Sequence, residues 1–310
     1  MEKVLPIRKN DGGYNLKNIT VIGSINVDLV AVSDKRPKAG ETVIGKAFHT
    51  IAGGKGANQA VACARLGANV TMLGVVGNDT YGTFSLENLK ENNINIDSVG
   101  VTNDITTGVA QIVIAENDNS IIVIPGANDK CDVNYAIQNE KTILASDLVI
   151  LQLEIPLDTV LFISDLCKKN NIPVLLNPAP ACDIPEKLID DVTFITPNEH
   201  EFEFIFGQDT AKDTLLKSYP NKLLITEGSN GVVFYNGSEI VRVPANKVNV
   251  IDTTGAGDTF NGAFGAAFLN GKKIDEAIKY ANLAAGISVT KLGAQGGMPT
   301  QQELDRWEQF

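Results

Sequence analysis

Histidine, tryptophan and cysteine are scarce in this chain of 310 residues, which has two, one and four of them. Cys63, Cys131, Cys167 and Cys182 are scattered, with no C-x-x-C pair, and His49 and His200 are the only histidines. That supply argues against a zinc site and for reduced thiols in a cytoplasmic protein. Positive charge is also short: 26 Lys and Arg face 37 Asp and Glu, a formal net charge of −11. No nucleic acid and no membrane surface is therefore expected as a partner, although local backbone dipoles could still hold a phosphate-bearing substrate. No apolar run approaches membrane-spanning length, and residues 1–10 lack the apolar core of a signal peptide. No G-x-G-x-x-G fingerprint follows a strand candidate, which sets aside a nicotinamide dehydrogenase. Internal repeats and low-complexity linkers are absent as well.

What is present is a 44% hydrophobic composition, enough for one large core. Short β-branched runs at 19–25, 70–76, 148–153, 173–176, 194–195 and 223–225 alternate with amphipathic stretches at 57–66, 81–92, 157–170, 199–206, 258–269 and 274–290. This alternation predicts an α/β fold, a mostly parallel sheet sandwiched by helices. Two segments break it. Residues 29–51 are β-rich, and 106–125 read as a hairpin of 108–115 and 120–125 around Asn117-Asp118-Asn119. Strands without helices to cover them need another surface, so both segments are expected to form a small inserted β-sheet lid. Its uncovered face would suit a second copy, a homodimer. The expected division is a leader at 1–17, an α/β domain of 18–28, 52–105 and 126–310, and the lid.

The densest chemistry lies in Asp252-Thr253-Thr254-Gly255-Ala256-Gly257-Asp258. Before it, 248–251 alternates like a strand; after it, Phe260, Ala263, Phe264, Ala267 and Phe268 fall at helical spacing. The glycines would then sit at a helix N-terminus, where unpaired N–H groups and the positive dipole end favour an anion. Asp258, in the first turn, could accept a hydroxyl proton beside that anion site, a layout for phosphoryl transfer. An ordinary glycine-rich turn with Asp258 as a capping acid is the plainer alternative.

Further polar groups recur at strand ends. Asn26 and Asp28, two apart in an extended chain, point the same way and suit a polyhydroxylated ligand such as a sugar; two polar caps of a turn is the other reading. Gly53-Gly54-Lys55-Gly56-Ala57-Asn58 precedes a helix expected from Gln59 to Leu66, closed by Gly67, so that Lys55 and Asn58 face a ligand. Glu154, Asn177, Asn198, Glu201, Thr226 and Gly228 follow other strands, where open α/β sheets bind ligands. Glu201 could orient water on Mg²⁺ or simply complement its helix dipole. Residues 40–47 nearly spell a P-loop, but Ala47 lacks the hydroxyl that Mg²⁺ needs and no helix follows.

In this order the motifs resemble the PfkB, or ribokinase-like, carbohydrate kinases. The resemblance rests on residues 53–60, on 252–262, on Gly126-Ala127-Asn128, on Asn177-Pro178-Ala179-Pro180 and on Thr196-Pro197-Asn198-Glu199. It implies transfer of the ATP γ-phosphate to the 5-hydroxyl of D-ribose, with Asp258 as base and Gly255, Ala256 and Gly257 as anion hole. It also implies that Asn26, Asp28, Gly54, Lys55, Asn58 and Glu154 hold the sugar, and that Asn198, Glu201, Thr226, Gly228, Gly257 and Asn282 line the nucleotide. Mg²⁺ would come with ATP. An activating K⁺ would be held by Asp252, Thr254, Ser288, Lys291, Gly293 and Gly297, mostly through backbone carbonyls.

Overall fold

The computed structural model describes residues 17–307 except 117 and 209. Its centre is a five-stranded parallel sheet in the order Phe194–Ile195, Val174–Leu176, Leu148–Leu151, Asn18–Ile22, Asn69–Leu73. The three strands Leu148–Leu151, Val174–Leu176 and Phe194–Ile195 are wholly apolar and buried because both faces are covered, while Asn18–Ile22 and Asn69–Leu73 also carry Asn and Thr. Alternate residues go to opposite sides: Ile19, Val21, Leu148, Ile150 and Leu175 pack into one core, Ile22, Val149, Leu151, Val174 and Leu176 into the other. Helices Lys55–Arg65, Ala256–Leu269 and Ile274–Ser288 supply the first core, and Leu157–Lys169, Glu186–Asp191 and Lys212–Ser218 the second. Isolated bridges from Ile195 to Leu223 and from Asn198 to Thr226 lead on to an antiparallel sheet of Leu224–Thr226, Val232–Tyr235 and Ile240–Val243.

A separate four-stranded sheet takes the order Ala47–Gly53, Asn26–Val32, Gly108–Ala115, Asp118–Ile124. Its central pair is parallel and its two outer pairings are antiparallel. The fold class read from the alternation is thus the one observed, with both helix-poor segments in this extra sheet. Asn117 of the expected turn, and residues 1–16 of the expected leader, lie outside the described residues.

Some local expectations are corrected. The run 19–25 ends as a strand at Ile22, and a new strand starts at Asn26 in the other sheet. Between them Gly23 is wedged where a Cβ would lie 1.9 Å from Gln152 Oε1 and 3.0 Å from the Gly56 Cα. The run 70–76 divides likewise at Gly74, whose N–H and C=O both bond the Tyr135 hydroxyl at 3.0 Å. Residues 248–251 form no strand; Val250 and Ile251 are exposed, and the Ile251 N–H is bonded to the Val289 carbonyl at the end of a helix instead of to a strand. The helix expected from Gln59 starts at Lys55, so the glycine-rich motif forms its first turn.

Candidate active site

Asp258 sits in the first turn of Ala256–Leu269, a helix fixed by a ladder of stacked rings. Phe260 lies 6.2 Å from Phe264, and Phe264 lies 6.3 Å from Phe268 and 5.0 Å, edge-on, from Phe194 of the central sheet. Gly262 lets this helix cross Lys55–Arg65 closely, since a Cβ there would meet the Ala62 Cβ at 2.5 Å. That crossing brings the two glycine motifs together. Asn58 Nδ2 donates to Asp258 Oδ2 at 2.9 Å, and Gln59 Nε2 donates to Asp258 Oδ1 at 3.0 Å. Gly255 takes the left-handed conformation (φ 76°) that turns the chain into the helix, and around Gly257 the space for a Cβ is open. The N–H groups of Gly257 and Asp258 have no acceptor among the described residues, as first-turn donors normally do not.

Four more acidic or basic groups face the same space from other elements. Burial raises the Asp258 pKa and outweighs the opposing pull of Lys55, Gln59 and Asn58, while Glu154 pushes it further up. Lys55 is held above its usual range: burial would lower it, but Asp258, Glu154 and Glu201 prevail. Asp28 is pushed up to about 6, first by burial and then by the charges of Glu154 and Asp258. Burial also raises Glu201 against the pull of its bond to Asn198 and the charge of Lys55. Asp258 therefore stays close enough to Asp28 and Glu154 for their charges to couple. Burial thus opposes the ionised form of Asp258, which the helix N-terminus by itself would favour.

The sugar-site candidates converge. Glu154 accepts from Ser24 Oγ at 2.5 Å and from the Lys55 N–H at 3.1 Å. Asn26 is buried, its Oδ1 accepting from Asn128 Nδ2 at 2.6 Å, and Asn128 Oδ1 in turn accepts from the Ile25 N–H at 2.9 Å. Gly54 (φ 89°) leaves no room for a side chain, since a Cβ would sit 2.6 Å from the Asn26 nitrogen. Asn198 and Glu201 form a reciprocal capping box on Glu199–Phe206, with both bonds at 2.8 Å. Thr226 ends its strand with its N–H on the Pro197 carbonyl at 2.9 Å, and exposed Gly228 opens the turn Gly228–Asn230. Asn282 stands apart in one respect: its Nδ2 is bonded to the Val243 and Pro244 carbonyls, each at 3.1 Å.

Two loops meet behind Asp258. Asp252 Oδ1 accepts from the Thr254 N–H and hydroxyl at 2.9 and 2.7 Å. Gly297 passes so near the Ser288 carbonyl that a Cβ would lie 1.9 Å from its oxygen. The Lys291 ammonium is held by Glu303 at 3.0 Å. Sequence reasoning missed Gln152 and Gln295, buried amides that touch Gln59 and Asn58. The available signal was a glutamine inside the otherwise apolar run 148–153.

Residues 16–301 match the family model described as pfkB family carbohydrate kinase. The chain is 51% identical over 290 residues to the ribokinase of Bacillus subtilis (strain 168), covering 94% of this chain and 99% of that one. It is 48% identical over 290 residues to the ribokinase of Lactococcus lactis subsp. lactis (strain IL1403), covering 93% and 96%. The solved structure of Arabidopsis thaliana ribokinase complexed with ribose and ATP aligns with a TM-score of 0.87 at 31% identity, covering 95% and 99%. The protein belongs to the pfkB family of carbohydrate kinases.

Proposed function

We propose that this protein transfers the γ-phosphate of ATP to the 5-hydroxyl of D-ribose, giving ribose 5-phosphate and ADP. The observation that carries the reading is the meeting of Asp258 with Asn58 and Gln59, under a helix tip whose amides are open. The identity to relatives named ribokinase supports the choice of sugar.

Ribose hydroxyls are held by Asn26, Asp28, Gly54, Lys55, Asn58 and Glu154, with the 5-hydroxyl toward Asp258. The γ-phosphate lies over Gly255, Ala256 and Gly257, where the N–H groups meet the charge that develops in transfer. Asn198, Glu201, Thr226 and Gly228 line the nucleotide; Asn282 offers only Oδ1, because its Nδ2 is engaged. Mg²⁺ supplies charge neutralisation on the phosphates when bound. Glu201 fits a role beside it, since one of its oxygens caps the helix while the other is uncommitted.

K⁺ would lie among Asp252, Thr254, Ser288, Lys291, Gly293 and Gly297 and supply an electrostatic brace for the loop before Gly255. Two observations support such an ion: Gly297 packs closely against the Ser288 carbonyl, and Glu303 draws the Lys291 ammonium away. Segments 29–51 and 106–125 act as the lid on a body of 18–28, 52–105 and 126–310, and two copies pair through it in a cytoplasmic homodimer. Lid closure excludes water and limits ATP hydrolysis.

A panel of sugars and nucleosides with MgATP, followed by ADP release, tests the assignment. Ribose should far exceed 2-deoxyribose, adenosine and fructose; equal turnover on adenosine or fructose overturns it.

A further inference from the structure

We propose that Gln59, oriented by Gln152, is a positioning residue that presets Asp258 for phosphoryl transfer. The inference rests on the reading of Asp258 as the base. An ionised carboxylate only accepts, so Gln59 must present its NH₂ to Asp258 Oδ1, which it does at 3.0 Å. The same Nε2 donates to Asn177 Oδ1 at 3.0 Å. With the nitrogen so committed, Gln59 Oε1 must find a donor elsewhere, and Gln152 Nε2 supplies it at 2.7 Å. Gln152 Oε1 is then left buried with no partner among the described residues, against Gly23. Reversing Gln152 would set its oxygen against Gln59 Oε1. The chain therefore runs one way, from Gln152 through Gln59 to Asp258.

The other carboxylate oxygen is served in the same way. Asn88 Nδ2 donates to Gln295 Oε1, Gln295 Nε2 to Asn58 Oδ1, and Asn58 Nδ2 to Asp258 Oδ2, each at 2.9 Å. Gln59 and Gln152 are fully buried and Gln295 and Asn58 nearly so. Two one-way amide chains thus converge on one carboxylate. They disfavour its protonated form, which would have to donate into a ring of donors, and they leave its outer lone pairs for a substrate hydroxyl. The charged groups facing Asp258 are Lys55, which favours the ionised form, and Glu154, Asp28 and Glu201, which oppose it. The amides add a geometric constraint that these charges lack.

The test compares wild type with Gln59→Met and Gln152→Met, two near-isosteric changes; Gln152 touches neither Asp258 nor the proposed substrate. Expected is a fall in kcat of about 10-fold or more, as for other losses of alignment at a reacting group. Ribose KM should stay within about 3-fold, a split that marks positioning and not ground-state binding. The acid limb of the kcat/KM profile should move to higher pH. The carbon-13 NMR titration of the Asp258 carboxyl, assigned by its loss in Asp258→Asn, should move the same way in protein without substrate. If Gln59→Met does not fold, Gln152→Met carries the test. Unshifted titration and profile in the folded variants overturn the proposal, whatever happens to kcat. Wild type inactive on ribose, with a shifted titration in the variants, refutes the sugar assignment and sustains this one.

Discussion

Asp252 Oδ2 accepts from the backbone N–H of Gly293 at 2.8 Å, tying the loop that enters the Asp258 helix to the loop that follows Ile274–Ser288. With its other oxygen on Thr254, the Asp252 carboxylate stays below its usual range against the opposing effect of burial. Wild type is expected to turn over faster in K⁺ than in choline, and Asp252→Ala to lose most of that difference. Equal rates of wild type in the two buffers would sink the cation site.

Replacing the proposed base keeps shape and removes charge. Asp258→Asn is expected to lose at least ~100-fold in turnover, the usual scale for a general base. Circular dichroism establishes that the variant is folded, and near-normal turnover in that state removes the role.

Asp28 gives a pH dependence with a definite sign. Its pKa rises from the ordinary 3.8 to about 6 in the fold, by burial first and then by Glu154 and Asp258. The native state therefore holds this proton more tightly than the unfolded chain does. Ionisation costs stability progressively as pH climbs from about 4 to about 6, and the cost is complete above that window. Asp28→Asn should melt above wild type at neutral pH without sugar, with the gap closing below pH about 4. In wild type, ribose KM should rise as pH falls through about 6, because a protonated carboxyl accepts fewer hydroxyl bonds. A variant that melts lower than wild type at neutral pH contradicts this account.

The helix crossing at Gly262 has no spare room. Gly262→Val should force Ala256–Leu269 away from Lys55–Arg65, at a cost of about 1–3 kcal/mol by overpacking. Thermal denaturation reads the loss, and kcat should drop as the Asn58–Asp258 bond lengthens. An unchanged melting point would mean that the helices adapt freely.

The extra sheet carries an apolar face that the proposed dimer would cover. Phe48 and Ile122 are 63% and 64% exposed and share this face with exposed Ile124, while exposed Ile121 and Val123 of the same edge strand point to the opposite face. Such an edge attracts a partner. Ile122→Asp should shift the mass measured by light scattering from dimer to monomer, and a monomeric wild type would exclude the pairing.

Much of this site could be read from the chain because its chemistry is local. The helical phase from Phe260 to Phe268 puts Asp258 at a helix start, and two-residue spacing aligns Asn26 with Asp28. What remained hidden depends on contacts far apart in sequence. Nothing near Gln152 or Gln295 indicates that they face Gln59 and Asn58, because neutral buried amides leave no periodic trace. The expected strand at 248–251 failed for a related reason: alternation records local pattern, while pairing needs a neighbour, and the neighbour there is a helix end. The breaks at Gly23 and Gly74 come from backbone packed against distant groups, which composition does not record.

Asn26 opens the strand Asn26–Val32, and that same strand is an inner member of the separate four-stranded sheet. Under the proposed function, cover and grip are two ends of one rod. On that proposal a tilt of the outer end would drag the inner one, making the admission of solvent and the letting go of product a single stroke.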